Sequence, residues 1–214
     1  MSRGIVSLGI VAGIIGTMCM ASCGSSDSGQ QSNDTIVLNI QPLDGVHNVD
    51  KDVENFAKLY LNKIGIDCYK INILPHATSP DKVYNASHSR FRAEKLIHYL
   101  HDNTPQGEFT IGITDRDIST SVHGKDDFGI LGLAYLGHRY RGCITSTYRL
   151  KHRRDLWKLI SHEFTHGFFD QNHCKADDEE CIMKDAKGKS PKFETKSHLC
   201  DTCAKEIAAK VANL

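Results

Sequence analysis

The chain has 214 residues, of which 40% are hydrophobic, enough to bury the core of one domain and hardly enough for two. Its 26 lysines and arginines balance 26 aspartates and glutamates, with no long basic run. The electrostatic footprint of a nucleic-acid binder is therefore missing, and no nucleic-acid partner is expected.

Residues 1–22 read as an export signal: Arg3, an apolar stretch from Ile5 to Met20 too short for a membrane span, then the small residues Ala21 and Ser22. Small residues just before Cys23 resemble a bacterial lipobox, which implies a lipid on Cys23; Cys19 follows Met18, a poor match. The reading is an exported protein anchored to the bacterial cell envelope, periplasmic or surface-exposed, with a plain secretory signal or an uncleaved anchor as alternatives. Residues 23–34 then form a polar, flexible, lipid-anchored tether, and residues 35–214 the folded domain.

"TIVLNIQPL" (35–43) and "CYKINILP" (68–75) alternate like strands, and Val53, Phe56, Ala57, Tyr60 and Leu61 between them repeat at helical spacing over Val49–Ile64. This predicts a βαβ unit with parallel strands. A helix over Ser89–Asp102, the strand "FTIGIT" (109–114) and two short apolar segments, "GILGLAY" (129–135) and "CITSTYRL" (143–150), complete a mixed, mostly parallel twisted sheet with packed helices. "GILGLAY" is the expected edge strand. A helix from Arg153 to Phe168 buries Leu156, Leu159, Ile160 and Phe164 and carries His162 and His166 beside that face. After Asp170 the periodicity fades until a closing helix, "CAKEIAAKVANL" (203–214), so the C-terminus reads as a small cysteine-rich subdomain. The fold class is α/β, of α+β character.

His162 and His166 sit one helical turn apart, about 6 Å, and can aim at one cation. Glu163 lies between them, placed to touch a water in the cation's open position. A zinc there would lower that water's pKa and polarise a carbonyl, with Glu163 as general base. His173 is the obvious third donor, yet on a continued helix it would sit ~16 Å further along. The helix must stop near Gly167–Asp170 and fold back, and Asp170, Gln171 and Asn172 tolerate such a turn.

HExxH, the third histidine, Cys174, the run Cys181-Ile182-Met183 and the final Cys200/Cys203 pair together resemble the archaemetzincins, a branch of the metzincin zinc metallopeptidases. The likeness extends upstream through "FTIGITDRDIST", "GILGLAY", "CITSTYRL" and "LWKLISHEFTH" and spans the chain after the tether. It implies a catalytic zinc on His162, His166 and His173, and Glu163 as the base. It also implies Met183 in the turn beneath the metal and a second, structural zinc on Cys174, Cys181, Cys200 and Cys203. The chain departs from the family pattern in that His173 is one residue late, Phe169 replaces the turn glycine, and six residues rather than four separate Cys174 from Cys181. Asn172 and Asp170 are the substitute third ligands.

By its own spacing the cysteine cluster is a tetrahedral thiolate site or two disulfides, and Cys68 and Cys143 are a bridge or two buried thiols. His98, His101, His123 and His138 read as solvated side chains, and Asp115 and Asp117 as turn carboxylates. The expected function is a zinc metallopeptidase, a monomer acting on peptides or proteins and holding two zincs. The alternative is an envelope lipoprotein of the same fold that binds zinc or peptide with little turnover.

Overall fold

Valine and isoleucine at alternating positions make the first strand, β1 (Ile36–Pro42), and the structure, a computed structural model, describes residues 35–122, 124–187 and 189–214. The export signal and tether, and His123, lie outside the described residues. In chain order follow α1 (Asp50–Phe56), prolonged to Ile64 by a π turn and a 3-10 turn, β2 (Tyr69–Ile73), β3 (Tyr84–Asn85), β4 (Arg90–Arg92) and α2 (Ala93–Asp102). Then come β5 (Glu108–Thr114), β6 (Ile118–Val122), β7 (Lys125–Ile130), β8 (Gly132–Leu133), β9 (Gly142–Ser146), α3 (Leu156–Phe169), α4 (Ser190–Glu194) and α5 (Asp201–Val211).

The main sheet has the order β2-β1-β5-β9-β8, parallel throughout except for β8. This is the mixed α/β architecture expected from the alternation of strands and helices. On one face α1 and α3 cover Leu38, Ile40, Ile111, Ile113 and Cys143; on the other, α2 covers Ile144 with Leu96, Ile97 and Leu100. Cys143 and Ile144, neighbours on β9, serve opposite cores, as a strand's two-residue period requires. A side chain at Gly112 on β5 would put its Cβ 2.7 Å from Leu100 and 2.8 Å from Ile144, so glycine there sets how closely α2 packs on the sheet.

A second sheet, β3-β4-β6-β7, was not foreseen. Arg90-Phe91-Arg92, read as the start of a helix, is strand β4, and α2 begins only at Ala93. The reason is ionic. Asp117 takes Arg90 at 2.9 Å and Arg149 at 2.7 Å, while Asp127 takes Arg90 at 2.7 Å and the Ser119 hydroxyl at 2.6 Å. Each arginine is held by carboxylates distant in sequence, so Asp117 is a strut rather than a bare turn residue. "GILGLAY" is likewise divided: Gly129 and Ile130 end β7 in the second sheet, and Gly132 and Leu133 form β8 at the edge of the first. "CITSTYRL" leaves the sheet after Ser146.

Phe164, on the sheet-facing side of α3, meets Phe56 and Phe109 edge-on at 5.4 and 5.8 Å and stacks on Phe168 at 4.8 Å. Phe164→Ala is expected to cost about 3–5 kcal/mol, measured by denaturant unfolding; a loss below about 1 kcal/mol would contradict this packing.

Candidate functional site

The active stretch of α3 ends at Phe169, and Asp170 adopts the left-handed conformation, φ 52° and ψ 43°. Such a residue reverses the chain at a helix end, and aspartate tolerates it better than most. Lys210 from α5 donates to the carbonyls of Phe169 and Asp170 at 2.8 and 2.9 Å, satisfying the open end of the helix. The Asp170 carboxylate accepts the Gly137 amide at 2.6 Å, which commits it elsewhere than to a cation. After this bend His173 returns, and donor atoms of His162, His166 and His173 all lie within 4.8 Å of one another. Their ring centroids are 4.5 to 5.3 Å apart. Asn172 lines the same cleft beside them.

The orientation of the first two rings is set by backbone. His162 donates through Nδ1 to the Ile182 carbonyl at 2.7 Å, and His166 through Nδ1 to the Gln171 carbonyl. A carbonyl only accepts, so both Nδ1 atoms carry the proton and both Nε2 atoms present a lone pair. These two Nε2 atoms face each other at 3.0 Å. Facing lone pairs repel, and a shared cation turns that repulsion into two coordinate bonds. The residues present therefore fit a metal ion. Burial pushes His162 well below the usual imidazole range and His166 down to about 4, and it lowers His173 as well, so the rings are in the neutral form a metal requires.

Glu163 is 5% exposed. Burial, with the charge of Asp185 adding to it, pushes its carboxyl up to about 8; a cation on the imidazoles would favour the carboxylate. A Cβ on Gly132 would lie only 2.6 Å from Oε1 and Cγ of Glu163. Gly132, on the free edge of the main sheet, thus leaves the space this carboxyl fills. The cleft in front has a volume of about 580 Å³ and runs between β7–β8 and the segment Asp185–Lys187, with Phe128, Ile130 and Phe193 among its apolar walls.

Behind the imidazoles the sulfurs of Cys174, Cys181, Cys200 and Cys203 also lie within 4.8 Å of one another, with Cys174 and Cys200 3.6 Å apart. A tetrahedral zinc with bonds of about 2.3 Å spaces its sulfurs by roughly 3.8 Å. Amides of Cys200 and Cys203 donate to the sulfurs of Cys181 and Cys200 at 3.4 and 3.5 Å. The four form one cluster rather than two disulfides. Of the two alternatives for Cys68 and Cys143 the structure excludes the bridge: Cys68 leads into β2 and Cys143 is on β9, three strands and so more than about 14 Å away, where a bridge requires Cα atoms within about 7 Å.

Met183 is fully buried among the four thiols, while its neighbour Ile182 supplies the carbonyl beneath His162. Sequence reasoning missed the carbonyls of Ile182 and Gln171, which leave no trace in residue identity. It also missed Gly132, Asp185 in the cleft, and Lys196, buried behind the site with its ammonium on the Glu179 carbonyl at 2.5 Å. The remaining histidines are partly engaged: His98 stacks on Tyr140 at 4.9 Å, and His101 Nδ1 accepts the Arg141 amide at 3.0 Å.

An α/β sheet, a helix bearing paired imidazoles, a third imidazole returned by a bend and a four-thiol cluster behind it define an α/β protein with two clusters of side chains suited to hold a metal ion. No protein-family profile matches the chain. The archaemetzincin of Nanoarchaeum equitans is 31% identical over 128 residues, 60% of this chain and 68% of that protein. The crystal structure of archaemetzincin from Methanopyrus kandleri aligns with a TM-score of 0.71 at 18% identity, covering 85% of this chain and 98% of the other. A zinc-dependent peptidase from Methanocorpusculum labreanum aligns at 0.59 and 16% identity, over 79% and 99% of the two chains. At such identities these two structures speak for the fold alone. The chain belongs to the archaemetzincin family.

Gly132→Ala is expected to displace the Glu163 carboxyl while leaving the imidazoles in place. Metal content should stay unchanged, and any reaction that uses this carboxylate should slow by more than about tenfold. Unchanged rates would mean that the close approach has no chemical consequence.

Proposed function

We propose that the protein is a zinc-dependent peptidase in which His162, His166 and His173 hold the catalytic metal and Glu163 is the general base. The observation that carries this reading is the pair of Nε2 lone pairs meeting at 3.0 Å, with a buried carboxyl on the intervening residue. Family membership supports it. A binding site for zinc alone has no use for a base beside the metal, and this favours the enzyme over the inactive alternative.

When bound, zinc supplies a Lewis acid and lowers the pKa of water that reaches it. The chain's own residues do the rest. Hydrogen bonds to the Ile182 and Gln171 carbonyls hold His162 and His166 in the tautomer that leaves Nε2 free, and raise their basicity. An extended peptide laid along the outer edge of β8 passes Gly132 and therefore Glu163. The Glu163 carboxylate takes a proton from the attacking water and delivers it to the amide nitrogen as the C–N bond breaks, ending unprotonated. Main-chain pairing along β8 reads no sequence, so the substrate is an extended peptide or an unfolded segment of a protein. Cys174, Cys181, Cys200 and Cys203 hold the second, structural zinc, and Met183 packs against that cluster. The signal and lipobox support an exported chain, anchored to the cell envelope through a lipid on Cys23. Among the described residues no helix is long and apolar enough to cross a membrane.

Metal analysis paired with a peptide-hydrolysis assay tests this. The parent chain should carry about two zincs and His173→Ala about one, whereas Glu163→Gln should keep about two and lose hydrolysis by roughly 10²–10⁴-fold. Full activity in His173→Ala, or in Glu163→Gln, would reject the assignment.

A further inference from the structure

The two groups of metal-binding side chains are built from the same short pieces of chain. Cys174 directly follows His173, and Cys181 directly precedes Ile182, whose carbonyl takes the His162 Nδ1 proton. Two of the four thiols are thus covalently adjacent to the third imidazole and to the group that orients the first. The pieces are also tied together: Cys174 N donates to the Met183 carbonyl at 2.8 Å, and Ile182 N to the His198 carbonyl at 2.6 Å. Met183 is fully buried among the thiols. By contrast, residues 171–175 belong to no helix or strand, so no regular hydrogen-bond ladder of their own fixes where His173 stops. The remaining thiols, Cys200 and Cys203, close the cluster from the N-terminal end of α5 and adjoin neither His173 nor Ile182.

We infer that the four-thiol cage is the positioning device of the imidazole site, so that the two sites take up metal with positive coupling. A cation held by the thiols orders Cys174 and Cys181, and through them His173 and the Ile182 carbonyl; a cation on the imidazoles orders the same two junctions in return. The cost of ordering these loops falls on whichever site is filled first, and the second then binds more tightly. This inference rests on the imidazole cluster being a metal site. It differs from a cage that only staples the C-terminal tail, which would leave the imidazole affinity unchanged in any variant that folds.

The experiment is a competition titration of the full chain with Co²⁺ and Zn²⁺. The thiol site is read from the sulfur-to-cobalt charge-transfer absorption, and the imidazole site from the weaker d–d bands of a nitrogen-ligated ion. Cys203→Ser opens the cage at the thiol lying on α5. It is expected to weaken the imidazole site by about 10–100-fold, the usual effect of losing support around a ligand. Cys203→His, which keeps four donors, should restore the affinity to within about threefold. His166→Ala, which leaves every thiol intact, should hold metal at the thiols more weakly than the parent does at metal concentrations that keep its imidazole site filled, because coupling between binding free energies is reciprocal. A cage that merely staples the tail would move neither the rescue nor this reciprocal loss. If Cys203→Ser fails to fold, the His166→Ala arm decides alone. Imidazole-site affinity within twofold of the parent in folded Cys203→Ser, or thiol-site affinity unaffected in His166→Ala, overturns the coupling. Cobalt bound only at the thiols of the unmutated chain overturns the peptidase reading itself, and the coupling with it.

Discussion

Everything in this protein converges on the meeting of two neutral imidazoles. His162 and His166 each have one nitrogen committed to a carbonyl, and their other nitrogens face each other at 3.0 Å. Left alone, that arrangement is repulsive and buried, a combination a fold tolerates only where something else is gained. A cation between the rings is the physical resolution. The reversal at Asp170 adds a third ring to the same cluster, and the buried Glu163 lines the cleft beside it.

The fold serves this meeting point by separating support from access. The parallel core strands and the phenylalanine cluster around Phe164 hold α3 rigid on its sheet side, while its other side opens onto the cleft. Edge strand β8 brings a glycine against Glu163, so the surface along which a peptide would pair and the group that would act on it are set by one contact. The second sheet, braced by Asp117 and Asp127 on their arginines, forms the far wall of the cleft through β7. Apolar packing positions the helix, and ionic pairing positions the wall.

Much of this was legible beforehand because its signals are local. Paired histidines one turn apart, a glutamate between them and β-branched runs at strand spacing announce themselves within a few residues. The bend was legible too, but by elimination: His173 cannot reach the others on a straight helix, and the residues after Phe169 are those that permit reversal. The second sheet was not legible. Arg90-Phe91-Arg92 looks like a charged helix start, and the residues from Ile118 to Phe128 suggest no element, until their carboxylates and guanidiniums meet across long sequence distances. Nor could spacing choose between a thiol cluster and disulfides, or exclude a bridge from Cys68 to Cys143, since both questions concern distances in space.

The sequence by itself determined the chemistry available: three imidazoles, a carboxylate and four thiols, in an order that matches the archaemetzincins and on a chain that alternates strand and helix. Only the tertiary structure decided how those groups are used. It brought the His173 ring beside the other two while giving the Asp170 carboxylate to the Gly137 amide, and it set two histidine tautomers with the carbonyls of Ile182 and Gln171. It also drew the thiol cage from the segments that carry His173 and Ile182. Backbone carbonyls have no letter in the sequence, and a side chain's partner is fixed by where the chain returns rather than by what the residue is.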